Sequence, residues 1–490
     1  MSSERRSAAP ALIALVASAA AWYFGSGLHP LWLLTWLAPL PVLLVAPRLR
    51  PWPAFAVALV AFAVGALNMW AYLRELTPLS VTLLAILGPA LVFGIVAVIH
   101  RRFALRGQLL RAAFSVPVLW VAYEFLAESH SPHSTFGNLG YTQMDCLPLL
   151  QVASVTGIWG ISFVVFFFSS ALAAFFAPHA GARRRPLAFA VLMVFAAVFG
   201  YGAWRLHTTP TAPRVTVGLI ASDVPQNLFP AGAGTLRLVA AYAAQMPALA
   251  EQGAQVIVIP EKLGRIDPAD LPGADQILEQ AAQASHVDIL AGFQHMPNLN
   301  EARLYSPEGA LQATYEKHHM LPAFESNLVP GTRRLVVNKP SGRWGVEICK
   351  DMDFPALSRQ YAHDGAALLL VPAWDFVTDG WLHGRMAILR GVESGFSIAR
   401  APKQGILTVS DDRGRVLAQR STSAAPFATL VASVPVRSQP TFYDRAGNWF
   451  ALLDLLGALV VLGSLLVVPP DPDPRVRQSQ IAPAEKSTAT

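Results

Sequence analysis

The chain has 490 residues, of which 53% are hydrophobic and only 14% are charged, and its mean hydropathy is +0.42. An average soluble domain has about 25% charged residues, so this composition excludes an ordinary soluble protein. A formal charge of +6 would suit a nucleic-acid partner, but the basic residues of the first half form short clusters between apolar runs, which is typical of membrane topology. We therefore expect a membrane, and no nucleic acid, as a partner.

The acidic residues divide the chain into two parts, because only five of the 31 precede residue 205. This distribution predicts a membrane domain with seven transmembrane helices over 1–204 and a globular domain over 205–448. The apolar residues 449–468 predict an eighth transmembrane helix. The polar, proline-rich residues 469–490 predict a disordered cytoplasmic tail.

Eight apolar segments are long enough to cross a bilayer, which requires about 20 helical residues because each backbone polar group must be bonded within the segment. The predicted spans are 10–26, 30–46, 53–72, 78–99, 110–127, 154–177, 186–204 and 449–468. If the N-terminus is cytoplasmic, the inside connections hold eleven arginines and the outside connections hold only Arg74. The positive-inside rule then predicts that 205–448 lies outside the cytoplasm.

The connection after the fifth span, SHSPHSTFGNLGYTQMDC, is expected to lie at the outer membrane surface. It is either an interfacial connector or a functional loop. His130 and His133 lie in it without a further ligand pattern, so no metal site is predicted. Glu124 lies near the outer end of a span, where an ionisable residue either has a function or extends to water.

The globular half alternates short β-branched runs such as RVTVGLIAS and QVIVIP with amphipathic helical stretches. This alternation predicts an α/β domain. Later strands are predicted at 335–338, 343–348, 367–371, 398–401 and 405–410.

The chain has two cysteines, Cys146 and Cys349, and a disulfide between them is one reading in an oxidising compartment. Cys349 follows the apolar run RWGVEIC and precedes KDMDFPALSRQYA, which predicts a strand-to-helix turn. Such a turn exposes a nucleophile where backbone N–H groups can meet an oxyanion. The alternative is an inert cysteine at the end of a strand.

Two further residues favour the nucleophile. Glu261 follows the strand QVIVIP, and Lys317 lies in YEKHHMLPAFESNLVPG, which is too rich in aromatic residues, prolines and histidines for a simple solvated charge run. Glu, Lys and Cys form a complete set for acyl transfer. The carboxylate takes the thiol proton, the sulfur attacks a carbonyl, and the ammonium stabilises the oxyanion.

This set resembles the Glu-Lys-Cys triad of the nitrilase, or carbon–nitrogen hydrolase, superfamily. Over about residues 8–468 the chain is similar to its membrane branch, the apolipoprotein N-acyltransferase family. The resemblance rests on IPE, on K-x-H-x-x-P followed by Glu325, on IC-x-x-x-x-FP, and on the W-x-x-x-E of Trp120 and Glu124.

The resemblance implies an αββα sandwich held outside the inner membrane of a bacterium, on its periplasmic side, and a monomer that needs no cofactor. It implies that Cys349 takes an acyl chain from a phospholipid and passes it to the N-terminal amine of a diacylglyceryl-cysteine lipoprotein. A membrane-anchored amidase, in which water replaces the amine, is the alternative. A non-catalytic scaffold is a third reading, which the intact triad disfavours.

The chain departs from the family around the triad. It has Cys349-Lys350-Asp351 in place of Cys-Tyr-Glu, and Pro322-Ala323-Phe324-Glu325 in place of Pro-Phe-Gly-Glu. The resemblance implies that Glu325 and Asp351 support the active site, Asp351 by orienting Lys317 with altered reach. The lost glycine would remove a close backbone approach. The candidate substrate contacts are Trp374, Trp381, Phe136 and Glu124.

Overall fold

The computed structural model of the protein describes residues 3–178, 181–208 and 211–467. The tail predicted at 469–490 lies outside these residues. The chain begins with a helical half and continues into a domain of two β-sheets, and a last apolar helix follows that domain. The fold class predicted from the sequence, a helical membrane domain with an α/β domain, is confirmed.

The helical half consists of eleven α-helices within the described residues. They are α1 (Ser3–Gly25), α2 (Trp32–Leu37), α3 (Leu40–Val45), α4 (Pro51–Gly65), α5 (Trp70–Leu76), α6 (Leu79–Leu105), α7 (Leu109–Ser129), α8 (Leu147–Leu150), α9 (Ala153–Thr156), α10 (Trp159–Phe175) and α11 (Arg184–His207). Many of their large apolar side chains, such as Leu84, Phe189 and Leu192, are exposed. Exposed apolar surface of this extent is suited to lipid.

Six helical segments among the described residues are long and apolar enough to cross a membrane. They are Ala8–Gly25, Pro51–Leu76, Leu79–Leu105, Leu109–Ser129, Gly181–His207 and Trp449–Leu466. The other two predicted spans are shorter than expected. Segment 30–46 is broken into α2 and α3 at Pro39, because proline cannot continue a helix. Segment 154–177 is reduced to the 17 residues of α10, because Gly157 has a φ of 68° and ends α9. The eight-crossing topology stays a prediction.

The second half contains thirteen strands within the described residues. They are β1 (Arg214–Ala221), β2 (Val256–Val258), β3 (Arg265–Ile266), β4 (Asp288–His295), β5 (Leu299–Tyr305), β6 (Leu311–Glu316), β7 (Leu335–Lys339), β8 (Gly342–Val346), β9 (Leu368–Trp374), β10 (Ser397–Lys403), β11 (Ile406–Ser410), β12 (Val416–Ser421) and β13 (Ala428–Pro435). Each of the five later strands predicted from the sequence is present, with ends that differ by at most a few residues.

The helices of this half are α12 (Ala233–Ala243), α13 (Met246–Glu251), α14 (Leu271–Ser285), α15 (Pro355–His363), α16 (Gly380–Ser394) and α17 (Phe442–Ala446), and α18 (Trp449–Val467) follows. One sheet has the strand order β13-β1-β2-β4-β5-β6, with β3 paired to β4, and the other has the order β12-β11-β10-β9-β8-β7. Leu219, Val258, Leu369 and Ala399 pack in one core between the sheets. Helices α12 and α14 cover the first sheet, and α15 and α16 lie on the side of the second, which gives four layers in the order αββα.

The outer loop of the membrane half packs against the second half. Glu124 is buried and its Oε1 accepts a hydrogen bond from the N–H of Leu139 at 3.0 Å, so its carboxylate stabilises this loop and does not extend to water. Arg390, on α16, donates to the hydroxyl of Tyr141 at 3.0 Å. Both halves therefore share one continuous interface. The disulfide reading is wrong, because both cysteines are free thiols.

Candidate active site

The three residues of the predicted triad each follow the end of a strand. Glu261 lies beyond β2, Lys317 is the first residue after β6, and Cys349 lies beyond β8. Glu261 and Lys317 are buried and Cys349 is partly exposed. The N–H of Glu261 also donates to the carbonyl of Ala373 at 3.3 Å, which joins the two sheets beside the site.

The ammonium of Lys317 lies between two carboxylates. Its Nζ donates to Oε1 of Glu261 at 2.8 Å and to Oε2 of Glu325 at 2.8 Å. Burial alone would lower the pKa of Lys317, but the two carboxylates hold that pKa well above its usual value. Burial would raise the pKa of Glu325, yet Lys317 and Lys262 lower it to about 2. At neutral pH the lysine is therefore a cation and Glu325 an anion.

Two side chains that the sequence did not single out complete this cluster. Asn300, on β5, donates from Nδ2 to Oε1 of Glu261 at 2.6 Å and to Oε1 of Glu325 at 2.9 Å. Lys262 forms an ion pair with Glu325. Because Lys262 directly follows Glu261 in the chain, its location at the site could have been predicted from the sequence. A single asparagine in a strand gives no such signal.

Cys349 begins a short 3-10 turn and has a φ of 47°. A residue other than glycine is strained in this left-handed conformation, and such residues cluster at active sites. The thiol donates a hydrogen bond to the carbonyl oxygen of Trp374, 3.4 Å from Sγ. Burial and the negative charge of Glu261 raise the pKa of Cys349 well above its usual value, although Lys317 acts in the other direction. The resting group is therefore a thiol that needs a base before it can attack.

Asp351 is fully buried, and its carboxylate joins the nucleophile turn to the lysine loop. Oδ2 accepts hydrogen bonds from the N–H of Ile348 at 3.0 Å and from the hydroxyl of Tyr315 at 2.8 Å. Oδ1 accepts from the two backbone N–H groups that follow Lys317, at 3.1 and 2.8 Å. The shortened carboxylate thus holds the backbone beside Lys317, and its role in orienting Lys317 stays a prediction.

Phe324 stands where the family that the sequence resembles has glycine, and the left-handed residue of this turn is the one before it, Ala323, with a φ of 66°. Ala323 thus holds a conformation that glycine favours, at the cost of strain in an alanine. The N–H of Leu321 still reaches Oε2 of Glu325 at 2.8 Å. The backbone of this turn therefore contacts the Glu325 carboxylate without a glycine at position 324, and the loss of a close backbone approach there stays a prediction.

The four candidate substrate contacts lie in different places. Trp374 lies beside the nucleophile, and its indole N–H donates to Gln404 at 2.8 Å while Nζ of Lys403 lies 3.7 Å from its ring centroid. Trp381 and Phe136 lie where the two halves meet, close to His29 and Tyr72 respectively. Glu124 binds the outer loop, as described above. The aromatic segment 373–384 therefore extends from the nucleophile to the membrane half.

Asp375, Asp379 and His383 each bring one potential metal-ligand atom within 4.8 Å of the others. Arg400 donates to both carboxylate oxygens of Asp375, one of them at 2.8 Å. The positive charge of this guanidinium would repel a metal ion bound to the same carboxylate. We therefore interpret the cluster as an ion-pair network in which His383 and Arg400 neutralise the two aspartates.

Lys350, the residue after the nucleophile, connects it to the outer loop. Its Nζ lies 3.2 Å from Nδ1 of His133 and donates to Asp353 at 3.0 Å. Thr135 donates from its hydroxyl to the backbone carbonyl of Asp353 at 2.9 Å. The departure from the family pattern at position 350 therefore adds a contact between the two halves beside Cys349.

Comparisons with known proteins cover both halves. Residues 18–171 match the family described as apolipoprotein N-acyltransferase N-terminal domain, and residues 226–439 match carbon–nitrogen hydrolase. An apolipoprotein N-acyltransferase of Geobacter metallireducens is 28% identical over 485 residues, which cover 89% of this chain and 91% of the relative. Another from Gloeobacter violaceus is 26% identical over 471 residues, which cover 89% and 81%.

A solved structure of an amidase from Nesterenkonia sp. is 20% identical, with a TM-score of 0.40, and covers 47% of this chain and 94% of that chain. The two family matches follow one another along the chain, and the alignment with the Geobacter relative covers 89% of it. The resemblance seen in the sequence is confirmed: the chain belongs to the apolipoprotein N-acyltransferase family, the membrane branch of the carbon–nitrogen hydrolase superfamily.

Proposed function

We propose that the protein transfers a fatty acyl chain from a phospholipid to the N-terminal amine of a diacylglyceryl-cysteine lipoprotein, through a thioester on Cys349. The observation that carries this proposal is the cluster of Glu261, Lys317 and Cys349 beside an apolar helical half. Such an arrangement supplies the groups for acyl transfer and a surface for substrates whose acyl chains stay in lipid.

In the first step, Glu261 takes the proton of the Cys349 thiol and the sulfur attacks the ester carbonyl of the phospholipid. The ammonium of Lys317 and the N–H of Lys350 stabilise the oxyanion that forms. The carbon–oxygen bond then breaks, Glu261 returns the proton to the departing oxygen, and a lysophospholipid leaves. The raised pKa of Cys349 is the reason that this step needs the carboxylate as a base.

In the second step, the amine of the lipoprotein attacks the thioester carbonyl. Glu261 takes a proton from the amine and delivers it to the departing sulfur, which restores the thiol and leaves an amide. All of these groups come from one chain, so we propose that a monomer suffices and that no cofactor takes part.

We further propose that the chain lies in the inner membrane of a bacterium with residues 205–448 on the periplasmic side. The eleven arginines of the predicted inside connections support this orientation.

The alternative is an amidase in which water discharges the thioester. The same triad would catalyse this hydrolysis, so the access of water to the thioester decides between the amidase and the transferase. The apolar helical half favours the transferase, because hydrolysis of a soluble amide does not need a membrane domain. The curated relatives named above are N-acyltransferases.

Mass spectrometry of the intact protein tests the proposal. After incubation with phosphatidylethanolamine vesicles, we expect one fatty acyl adduct on Cys349, which a diacylated lipopeptide removes and water does not. Cys146→Ala serves as the matched control and keeps the adduct, whereas Cys349→Ala loses it. An adduct that water removes as fast as the lipopeptide favours the amidase. Full activity of Cys349→Ala without any adduct contradicts both readings.

A further inference from the structure

The aromatic segment 373–384 contacts the membrane half through three pairs of side chains. The pairs are Tyr72 with Asp379, Phe136 with His383, and His29 with Trp381. The first of these pairs is a hydrogen bond, in which the hydroxyl of Tyr72 donates to Oδ2 of Asp379 at 2.7 Å. Tyr72 lies on α5, at the end of the membrane segment Pro51–Leu76.

The inner end of the aromatic segment is fixed beside the nucleophile. The carbonyl of Trp374 accepts the hydrogen bond from the thiol of Cys349. The next residue, Asp375, donates its N–H to the carbonyl of Lys403 at 3.0 Å and holds Arg400 with its carboxylate. The position of this carbonyl therefore depends on how the residues after it are held.

Asp379 closes a turn formed by residues 375–379, at the end that lies nearer the membrane half. Its Oδ1 accepts from the N–H of Phe376 at 2.9 Å, and its own N–H donates to the carbonyl of the same residue at 2.8 Å. The turn 375–379 thus forms one hydrogen-bonded unit with Trp374 at one end and the acceptor of the Tyr72 hydroxyl at the other. This unit is the connection between the Tyr72 hydroxyl and the carbonyl at the nucleophile.

We propose that Tyr72 is a positioning residue for Cys349, which acts through Asp379 and the turn 375–379. The hydroxyl fixes the turn relative to the membrane helix, and the turn fixes the carbonyl that directs the thiol. The chemistry at Cys349 then depends on the placement of a helix that faces lipid. This inference rests on the proposed role of Cys349 as the nucleophile.

Tyr72→Phe tests the inference, because it removes only the hydroxyl. The ring of Phe136 lies against that of Tyr72, with 6.1 Å between centroids and an interplanar angle of 28°, and should hold the phenylalanine in place. We expect the kcat for acylation of Cys349 from phospholipid to fall about tenfold with an unchanged KM and an unchanged thermal unfolding midpoint. The rate of Cys349 alkylation by iodoacetamide should change at least threefold. Tyr23→Phe, at an exposed tyrosine of α1, is the matched control.

A double-variant cycle separates positioning from general packing. Asp379→Leu also removes the contacts with Phe376 and His383, so it should lower kcat at least as much as Tyr72→Phe, and the double variant should show no loss beyond that of Asp379→Leu. Independent, multiplying losses would overturn the inference, as would an unchanged kcat in Tyr72→Phe. A fall that appears only in KM, or only together with a lower unfolding midpoint, would also overturn it.

The alkylation measurement separates this inference from the proposed function. It needs neither phospholipid nor lipopeptide, so it reports on Cys349 even if the wild type forms no acyl adduct. An absent adduct with a changed alkylation rate in Tyr72→Phe contradicts the transferase and supports the positioning. A normal adduct with an unchanged alkylation rate and an unchanged kcat contradicts the positioning alone.

Discussion

Nζ of Lys317 lies 2.8 Å from Oε2 of Glu325, and the same ammonium donates to Glu261. Glu325→Gln removes one of two negative charges from the lysine and replaces one acceptor oxygen by a donor. A hydrogen bond to a charged group contributes about 1.5–3 kcal/mol, so we expect the acylation rate to fall roughly ten- to a hundred-fold. Single-turnover acylation from phospholipid measures this.

Glu316→Gln is the control for that prediction. Glu316 is exposed and lies one residue before Lys317, so its substitution changes the same charge outside the site. The acylation rate of this variant should stay within about twofold of the wild type. Equal effects of the two substitutions would mean that the net charge of the domain, and not the contact with Lys317, controls the rate.

Asp351→Glu should impair the protein, although it restores the carboxylate that the family usually has. The side chain is fully buried and both oxygens already have hydrogen-bond donors. An extra methylene in a filled site costs about 1–3 kcal/mol, so both the unfolding free energy and the acylation rate should fall. Chemical denaturation in detergent measures the first quantity. Asp364→Glu, at a partly exposed aspartate, should be neutral, and a gain of activity in Asp351→Glu would refute the prediction.

Ala323→Gly should stabilise the protein. Alanine at a φ of 66° is strained by about 1–2 kcal/mol, and glycine relieves that strain, although its greater freedom in the unfolded chain cancels part of the gain. We expect the unfolding free energy to rise by up to about 1 kcal/mol. Ala284→Gly, in the last turn of helix α14, should lower it by less than about 1 kcal/mol. The prediction fails if both variants are destabilised equally.

Asn300→Leu tests the residue that bridges the two carboxylates. The amide donates to both Glu261 and Glu325, and leucine of similar volume leaves each of them with one donor fewer. We expect at least a tenfold lower acylation rate, because the carboxylates then repel each other with less compensation. Asn227→Leu, on the partly buried turn before α12, is a matched control. An acylation rate equal to that of the wild type would exclude a role for the bridge.

His383 should make the stability of the fold depend on pH. It lies 3.3 Å from Asp379 and 3.8 Å from Asp375, and although burial lowers its pKa, these carboxylates raise it to about 9. The usual pKa of histidine is about 6.5. Because the folded state holds the proton more tightly, this stabilisation is complete below about pH 6.5 and is lost as the pH rises through about 9.

The unfolding free energy of the wild type should therefore fall more steeply between pH 6.5 and 9 than that of His383→Gln, as the raised pKa of about 9 requires. Chemical denaturation at a series of pH values gives both curves. The exposed His130 provides a control, because His130→Gln should follow the wild type. Parallel curves for the wild type and His383→Gln would show that the two aspartates do not raise the pKa of His383 in the folded state.

Part of this architecture could be predicted from local sequence and part could not. The sequence was enough to identify Glu261, Lys317 and Cys349 as candidate catalytic residues, because each stands at a strand end in a short motif. Asn300 has no such context. The contact between Tyr72 and Asp379 joins residues 307 positions apart, and no local pattern indicates a pairing at that distance.

The helical half shows a second limit of prediction from the sequence, because hydropathy does not reveal where a helix is broken. Apolar content alone predicted a continuous span over 30–46, although the two prolines of LAPLP stand within it. In the structure the steric effect of Pro39 outweighs hydropathy, and the chain forms two short helices. Likewise, Ala323 adopts a left-handed conformation that residue preference assigns to glycine, because the surrounding contacts determine the turn.

The left-handed backbone of Cys349 has a consequence for how this protein can evolve. Glycine adopts a φ of 47° with less strain than any residue that has a side chain. Selection for stability alone would therefore replace the cysteine at position 349. Reactivity and robustness are therefore opposed at this residue. Variants selected only for heat resistance should accumulate substitutions at Cys349, and variants selected for acyl transfer should retain it and gain stability elsewhere.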